Sequence, residues 1–264
     1  MRQPTFYIPH GAGPCFFMDW SMGPPDTWDA TGAWLKGLVS DLPERPKALL
    51  VISAHWEAEQ PTVTEGAGSS LLYDYSGFPQ HTYELTWPAA GDPALAARTR
   101  QLLEAAGIES AGDSERGLDH GVFIPLKLSV PDADIPTVQL SLVRGLDPAT
   151  HVAIGKALAP LRDEGVLIVG SGMSYHDMRG FGRDESLGVS QTFDRWLAET
   201  MPRAEGREAA LEGWERAPEG RACHPREEHL LPLMVVAGAV EGEAGERVFG
   251  DQVMGVEVSA FRFG

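Results

Sequence analysis

Three short apolar runs rich in β-branched residues constrain the fold of this chain most strongly: Ala48 to Ser53, Thr137 to Leu142 and Val166 to Gly170. Runs of this length and composition are typical of strands that are buried on both faces of a sheet. The segments Pro93 to Ala106 and Pro148 to Arg162 have helical patterns, and each follows an aspartate in an N-cap position. This alternation of strand and helix predicts a largely parallel sheet covered by helices.

The rest of the chain extends the same pattern. Ser190 to Thr200 and Glu227 to Gly238 are predicted to be helical, and the second is apolar enough to pack into the core despite Pro232. The final segment, VMGVEVSAFRFG, alternates in the manner of a strand. No internal repeat or linker composition interrupts the sequence. We therefore predict a single α/β domain over residues 1–264, with a mostly parallel or mixed central sheet and helices on both faces.

The charge of the chain excludes some classes of partner. Lys and Arg number 21 against 38 Asp and Glu, a formal net charge of −17. Such a charge repels phosphate backbones and anionic membrane surfaces, so we expect no nucleic-acid partner. The start of the sequence has no signal-peptide pattern, and no apolar run reaches the roughly 18 to 20 residues that cross a bilayer, so we expect a cytoplasmic protein without membrane contact. Neither property predicts an oligomeric state.

The cysteine content limits how this chain can bind a metal. Only Cys15 and Cys223 are present, too few for a disulfide framework or a four-cysteine zinc site. Any metal must therefore be held by histidine and carboxylate side chains.

Histidines occur at the positions where an α/β sheet places its ligands, namely just after the strands. His10 follows the short run TFYIP, His55 follows the first apolar run within SAHWE, and His176 follows the third within GSGMSYHDMR. His120 lies in a predicted loop within RGLDHGVFIPL. One such histidine would more often cap a turn than bind a metal, but four in comparable positions favour a shared site. His81 and His151 lack this context, which indicates surface or ordinary packing positions.

Two further histidines, His224 and His229, lie within CHPREEHLLPL. On a regular helix a spacing of five places two side chains on different faces, so only one of them is expected at the site. His229 directly precedes the apolar segment LLPL, and it is the better candidate.

A cluster of neutral imidazoles binds Zn(II) or Fe(II) and leaves a coordination position open for a substrate. The same ligands would suit a zinc-dependent hydrolase or a non-catalytic metal-binding protein.

Several segments, taken in order, resemble the DOPA 4,5-dioxygenase branch of the class III extradiol dioxygenases: PHGAG, SAHWE, YDYSGFP, TYELTWPAAGDP, RGLDHGVFIPL, ADIPTVQLSL, GSGMSYHDMRG and HPREEHLLPL. The resemblance extends from about Pro9 to Gly238. It implies an α/β enzyme that inserts O2 into a catechol-type small molecule, opening the ring next to the hydroxyls rather than between them.

The resemblance also implies roles for individual residues. His10, His55 and His229 match the metal ligands, and His176 matches a histidine that is either a fourth ligand in a resting zinc form or a catalytic acid and base. His120 matches a second active-site histidine that handles protons or oxygen. The implied cofactor is one divalent metal, Fe(II) for activity. We expect Zn(II) in the protein as isolated, because zinc has the higher intrinsic affinity for nitrogen ligands. Protocatechuate-type relatives use a glutamate as third ligand, whereas this chain offers His229 beside two glutamates.

Aromatic and acidic residues near these histidines have two possible roles each. The aromatic residues are Tyr73, Tyr75, Phe78, Tyr83 and Trp87. They either form a wall over a flat substrate or serve in ordinary packing. Asp119 and Asp177 flank active-site histidines and either orient their imidazoles or cap turns.

Overall fold

The computed structural model describes residues 1–68, 70–240 and 242–264. Across these residues, eight strands form one mixed sheet. The strands are β1 Thr5–Pro9, β2 Ala48–Ala58, β3 Thr62–Thr64, β4 Ala111–Asp113, β5 Thr137–Val143, β6 Val166–Gly172, β7 Gly245–Val253 and β8 Val256–Phe263.

The strand order is β4-β3-β5-β2-β6-β1-β8-β7. The four central strands β5, β2, β6 and β1 run parallel to one another, as the sequence pattern predicts. The strand predicted at the end of the chain is β8, which pairs antiparallel with β1 and with β7. The strand β7 was not predicted, because its charged and exposed residues resemble a surface loop more than a buried run. The sheet is therefore mixed, with a parallel centre.

The described helices are α1 Asp29–Ser40, α2 Pro93–Ala105, α3 His120–Ser129, α4 Pro148–Leu158, α5 Pro160–Asp163, α6 Asp184–Thr200, α7 Arg207–Glu212, α8 Gly220–Cys223 and α9 Leu231–Gly238. Alternate residues of the central strands bury opposite faces of the sheet. Leu49 and Val51 of β2 pack on the face covered by α1 and α3, while Leu50 and Ile52 pack with α4 and α9. The expected helices on both faces are confirmed.

Prolines account for the main differences in helix boundaries. The predicted helix Pro148 to Arg162 is two helices, because Pro160 lacks an N–H and begins a new one, α5. The predicted helix Glu227 to Gly238 begins only at Leu231, with Pro232 in its first turn, where proline is favoured. The predicted helix Ser190 to Thr200 is longer at its start and begins at Asp184.

Among the described helices, none is both long enough and apolar enough to cross a membrane.

Candidate metal centre

Five histidines from five parts of the chain converge at the carboxyl end of the central strands. The hydrogen-bonded order β2-β6-β1 brings the ends of these strands side by side. His55 lies within β2, His176 follows β6 and His10 follows β1. His120 is the first residue of α3, and His229 lies just before α9. The sheet topology thus brings together the five histidines that the sequence predicts at one site.

Two of these histidines lie in elements other than those predicted. His55 does not follow its strand, because β2 continues to Ala58 and pairs again with β5 beyond an irregularity between Ile52 and Glu57. At this irregularity the pairing register between β2 and β5 shifts, as it does at a β-bulge, and the strand continues beyond it. His120 lies in the first turn of α3 and not in a loop, and the backbone N–H of His120 donates to the Asp74 carboxylate at 2.9 Å.

The imidazole rings lie close to one another. The Nε2 atoms of His10 and His55 are 3.2 Å apart. The ring centroid of His229 lies 5.2 Å from that of His10 and 4.9 Å from that of His55. His120 approaches His55 from another side, with 4.0 Å between centroids, and His176 stacks on His229 at 3.3 Å.

The hydrogen bonds to these rings define which nitrogen is free. The Nδ1 of His10 lies 2.8 Å from the carbonyl oxygen of Gly11, and the Nδ1 of His229 lies 3.0 Å from Oε1 of Glu228. Both partners are acceptors only, so in each neutral ring Nδ1 carries the proton and donates it. The lone pair of each ring then lies on Nε2, the atom that a metal would contact.

His176 and His120 follow the same pattern. The Nδ1 of His176 lies 3.2 Å from Oε1 of Glu228, the same oxygen that accepts from His229. The Nδ1 of His120 lies 2.8 Å from Oδ1 of Asp74. Each carboxylate fixes the tautomer and the orientation of its ring. Asp74 and Glu228 therefore take the orienting role that Asp119 and Asp177 were considered for.

The two predicted orienting carboxylates have other partners. Asp119 is buried and bonds to Ser53, Gln139 and Arg116. Asp177 accepts from the backbone N–H of Arg179 in a turn. Sequence reasoning missed Asp74 because nothing local connects it with His120, 46 residues later. The orienting role of Glu228 could have been predicted, because Glu228 directly precedes His229 in the sequence.

The donor set fits a divalent metal ion. His229 Nε2 is buried and has no hydrogen-bond partner among the described residues, a costly arrangement unless something binds there. Two groups of three ligand atoms lie within 4.8 Å of one another: His10, His55 and His120 in one, and His176, Glu228 and His229 in the other. The separation of the His10 and His55 nitrogens suits two ligands with metal–nitrogen distances of about 2.1 Å.

Burial keeps the candidate ligands neutral. It lowers the pKa of His10 and His55 well below the usual value, and the neighbouring histidines lower it further. Burial also lowers the pKa of His229 to about 3, although Glu228 acts in the opposite direction. Burial alone would raise the pKa of Glu228, but hydrogen bonds from His176 and His229 hold it well below its usual range. The site therefore combines neutral imidazoles with an ionised carboxylate behind them.

We expect the metal-free protein to lose stability as the pH falls below about 6.5. His10, His55 and His229 stay neutral in the folded chain and take up protons in the unfolded chain, so the unfolded state binds more protons in this range. Each such histidine lowers the free energy of unfolding by about 1.4 kcal/mol for each unit by which the pH falls. Urea unfolding of the metal-free protein over this range measures the effect, and a free energy of unfolding that stays constant down to about pH 5 would contradict it.

Close backbone packing fixes the position of His229. A Cβ atom at Gly172, the last residue of β6, would lie 2.1 Å from the carbonyl oxygen of His229, so no larger residue fits there. The same carbonyl accepts from the Tyr7 hydroxyl at 2.6 Å and from the Met173 N–H at 3.2 Å. The ring is thereby held against the end of the sheet.

The other three histidines lie away from the cluster. His224 is buried, with Nε2 3.0 Å from the carbonyl oxygen of Ser174 and its ring against Phe193 and Trp214. His81 is exposed, and His151 is buried and bonded to the backbone of Asp147. The structure places His81 and His151 in surface and packing positions, respectively.

The histidines line a cavity of about 600 Å³. Of the aromatic residues considered for a wall, Tyr75 and Phe78 line it. Tyr73 and Tyr83 pack around Tyr75, and the Tyr75 hydroxyl donates to the carbonyl oxygen of Thr82. Trp87 lies in the core, where its indole N–H donates to the carbonyl oxygen of Val130.

A mixed α/β sheet that brings neutral histidines to the wall of a cavity is an arrangement suited to a metalloenzyme. The family model for the catalytic LigB subunit of aromatic ring-opening dioxygenase matches residues 5–261. The chain belongs to this family of extradiol dioxygenases, whose members depend on a metal, and the resemblance seen in the sequence is confirmed.

Individual relatives agree with this family. The chain is 40% identical to a 4,5-DOPA dioxygenase extradiol of Beta vulgaris, over 89% of this chain and 86% of the relative. It is 34% identical to a 4,5-DOPA dioxygenase extradiol of Escherichia coli K12, over 92% and 87%. The crystal structure of an uncharacterized protein from Escherichia coli K12 superposes with a TM-score of 0.80, at 31% identity and full coverage of both chains.

Proposed function

We propose that this enzyme opens the ring of a catechol next to its hydroxyl groups, using one Fe(II) ion held by His10, His55 and His229. The observation that carries the proposal is the shared orientation of the rings. His10 and His229 each donate from Nδ1 to an oxygen acceptor, which leaves both Nε2 lone pairs available. The Nε2 of His55 lies 3.2 Å from that of His10, and the His55 ring lies 4.9 Å from the His229 ring, measured between centroids. The names of the relatives, which are DOPA dioxygenases, support a catechol as substrate.

A bound Fe(II) ion would bring catechol and O2 together and supply the redox chemistry of ring opening. The remaining steps belong to the protein. A catechol must lose a proton from a hydroxyl before its ring is attacked, and the ring-opened product must regain one. The chain therefore needs a base that lies beside the ligands and is not itself a permanent ligand.

His176 fits the role of this base. Its Nδ1 is held by Glu228, so the free lone pair is on Nε2, and its ring stacks directly on the ligand candidate His229. Once Nε2 accepts the hydroxyl proton, the ring becomes a cation, which the ionised Glu228 carboxylate stabilises. The same Nε2 then returns the proton to the product.

His120 is the second candidate for proton transfer. It lies beside His55, with 4.0 Å between the ring centroids, and Asp74 holds its Nδ1 in the same way as Glu228 holds His176. Its Nε2 can therefore hold or release a proton at a second position in the site. The two carboxylate–histidine pairs provide separate groups for accepting and donating protons.

Anaerobic reconstitution with Fe(II) tests the proposal. We expect the iron-loaded protein to consume about one O2 per catechol, with the yellow absorbance of a muconic semialdehyde, and the zinc-loaded protein to consume almost none. Zinc binds nitrogen ligands more tightly than Fe(II) but has no redox chemistry with which to activate oxygen. High activity in a fully zinc-loaded sample without iron would overturn the iron assignment, and hydrolysis without oxygen consumption would favour the hydrolase alternative.

A further inference from the structure

The cavity beside the histidines has an apolar lining. Beyond the histidines, most of the side chains on its wall are aromatic or methionine, and they are Trp20, Met22, Trp28, Tyr75, Phe78, Met173, Met178, Phe181 and Met254. Four methionines in one cavity provide a surface that adapts to the shape of an apolar ligand. A cavity of about 600 Å³ is larger than a catechol ring alone requires, so it has room for a substituent.

No lysine or arginine is among the described residues that line this cavity. Two arginines near the histidines are engaged elsewhere: Arg116 pairs with Asp119, and Arg226 pairs with Glu57 and Glu228. Arg179 follows the lining residue Met178 in sequence, but it lies outside the lining. A carboxylate placed in the cavity would therefore lose its hydration without gaining a cationic partner, which is costly.

The acidic residues of the chain also oppose the binding of a carboxylate in this cavity. Asp74 is the one carboxylate among the described lining residues, and it would repel a second carboxylate placed beside it. The net charge of −17 repels anions at longer range. Both oxygens of Asp74 face histidines: Oδ1 accepts two hydrogen bonds from His120, and Oδ2 lies 3.9 Å from Nδ1 of His55. The carboxylate is therefore directed at the imidazoles and away from a substituent.

We infer that the substrate is a catechol whose substituent is uncharged and apolar, an alkyl or aryl group, and not an amino acid or a carboxylic acid. This inference rests on the proposed catechol chemistry of the histidine cluster. The inferred substrate differs from DOPA, the compound in the names of the relatives, because DOPA carries a carboxylate and an ammonium group.

The test compares three catechols with substituents of similar length para to one hydroxyl: a propyl group, a propionate and the aminoethyl group of dopamine. DOPA is added as a fourth. With the iron-loaded protein at low salt, we expect kcat/KM for propylcatechol to exceed that for each charged catechol at least tenfold. The difference should lie mainly in KM, because the reacting ring is the same.

Binding is measured separately from turnover. Trp20 and Trp28 line the cavity, so quenching of tryptophan fluorescence in the zinc-loaded, oxygen-free protein reports occupancy. The same order of affinities is expected there. Tighter binding of the propionate, of DOPA or of dopamine would overturn the inference, whatever the oxygen measurements give. Failure to open any catechol, with propylcatechol bound most tightly, would contradict the proposed function alone.

A variant places a cation at the mouth of the cavity. Met178 is 71% exposed, so Met178→Arg is tolerated by the fold and should raise kcat/KM for the propionate about tenfold while lowering that for propylcatechol. Ala105→Arg adds the same charge at the exposed end of α2 and should leave the ratio unchanged. Arg179→Gln is the third variant. If it selectively weakened the propionate, Arg179 would be a carboxylate-binding residue and the inference would be wrong.

Discussion

Replacement of His55 by alanine is expected to lower the bound metal from about one ion per chain to less than about a tenth, and kcat/KM by about a thousandfold or more. His55 contributes its Nε2 beside that of His10. Hydrogen bonds hold the rings of His10, His229 and His120 in place, so none of them is expected to move into the gap. Metal analysis after dialysis, together with oxygen consumption, measures both effects.

His55 is a better test position than His10 or His229. Its side chain is 22% exposed, whereas the other two are almost fully buried, so truncation there leaves little of the cavity that destabilises a core. His81→Ala removes an exposed histidine away from the cluster and is the matched control. A His55→Ala protein that kept its metal and lost only turnover would remove His55 from the ligand set.

Replacement of His176 by alanine is expected to keep most of the metal and to lower kcat by between about a hundredfold and ten-thousandfold, the usual range for loss of a general acid or base. If His176 is the base, kcat/KM of the unaltered enzyme rises with pH as the base loses its proton, and this rise should be absent in the variant. Loss of packing alone would not remove it. Metal analysis on the purified variant accompanies the kinetics.

Two outcomes would contradict this role of His176. Parallel loss of metal and activity would make His176 a permanent ligand, equivalent to His55. Unchanged turnover would remove it from the mechanism. Glu228→Gln is the companion variant, because it keeps the shape but weakens the hydrogen bonds to both His176 and His229. Its activity should fall about ten- to a hundredfold.

The sequence predicts the positions of the central strands well, because runs such as Ala48 to Ser53 are buried on both faces and have one simple signature. It predicts the convergence of the histidines for a related reason. His10, His55 and His176 lie at or near the ends of neighbouring parallel strands, so the topology alone brings them together. The choice of His229 over His224 agrees with the cluster geometry, although neither residue lies in a regular helix.

The sequence does not predict features that depend on contacts between distant segments. The bulge in β2 depends on pairing with β5, which no local pattern encodes. The helix α3 has apolar residues on every side and an internal proline, so it lacks the periodicity that reveals surface helices. Asp74 meets His120 only because the loop after β3 folds over the first turn of α3.

The origin of the cluster in widely separated parts of the chain has a mechanical consequence. His10 and His229 lie near opposite ends of the sequence, and His55 lies between them. An ion that joins the three acts as a cross-link and closes long loops, in a protein whose two cysteines are both free. Unlike a disulfide, the ion would be released on unfolding, so its free energy of binding to the folded protein would add to the free energy of unfolding. A metal ion bound by the three histidines would thus also link the two ends of the chain to the middle of the sheet and stabilise the folded protein.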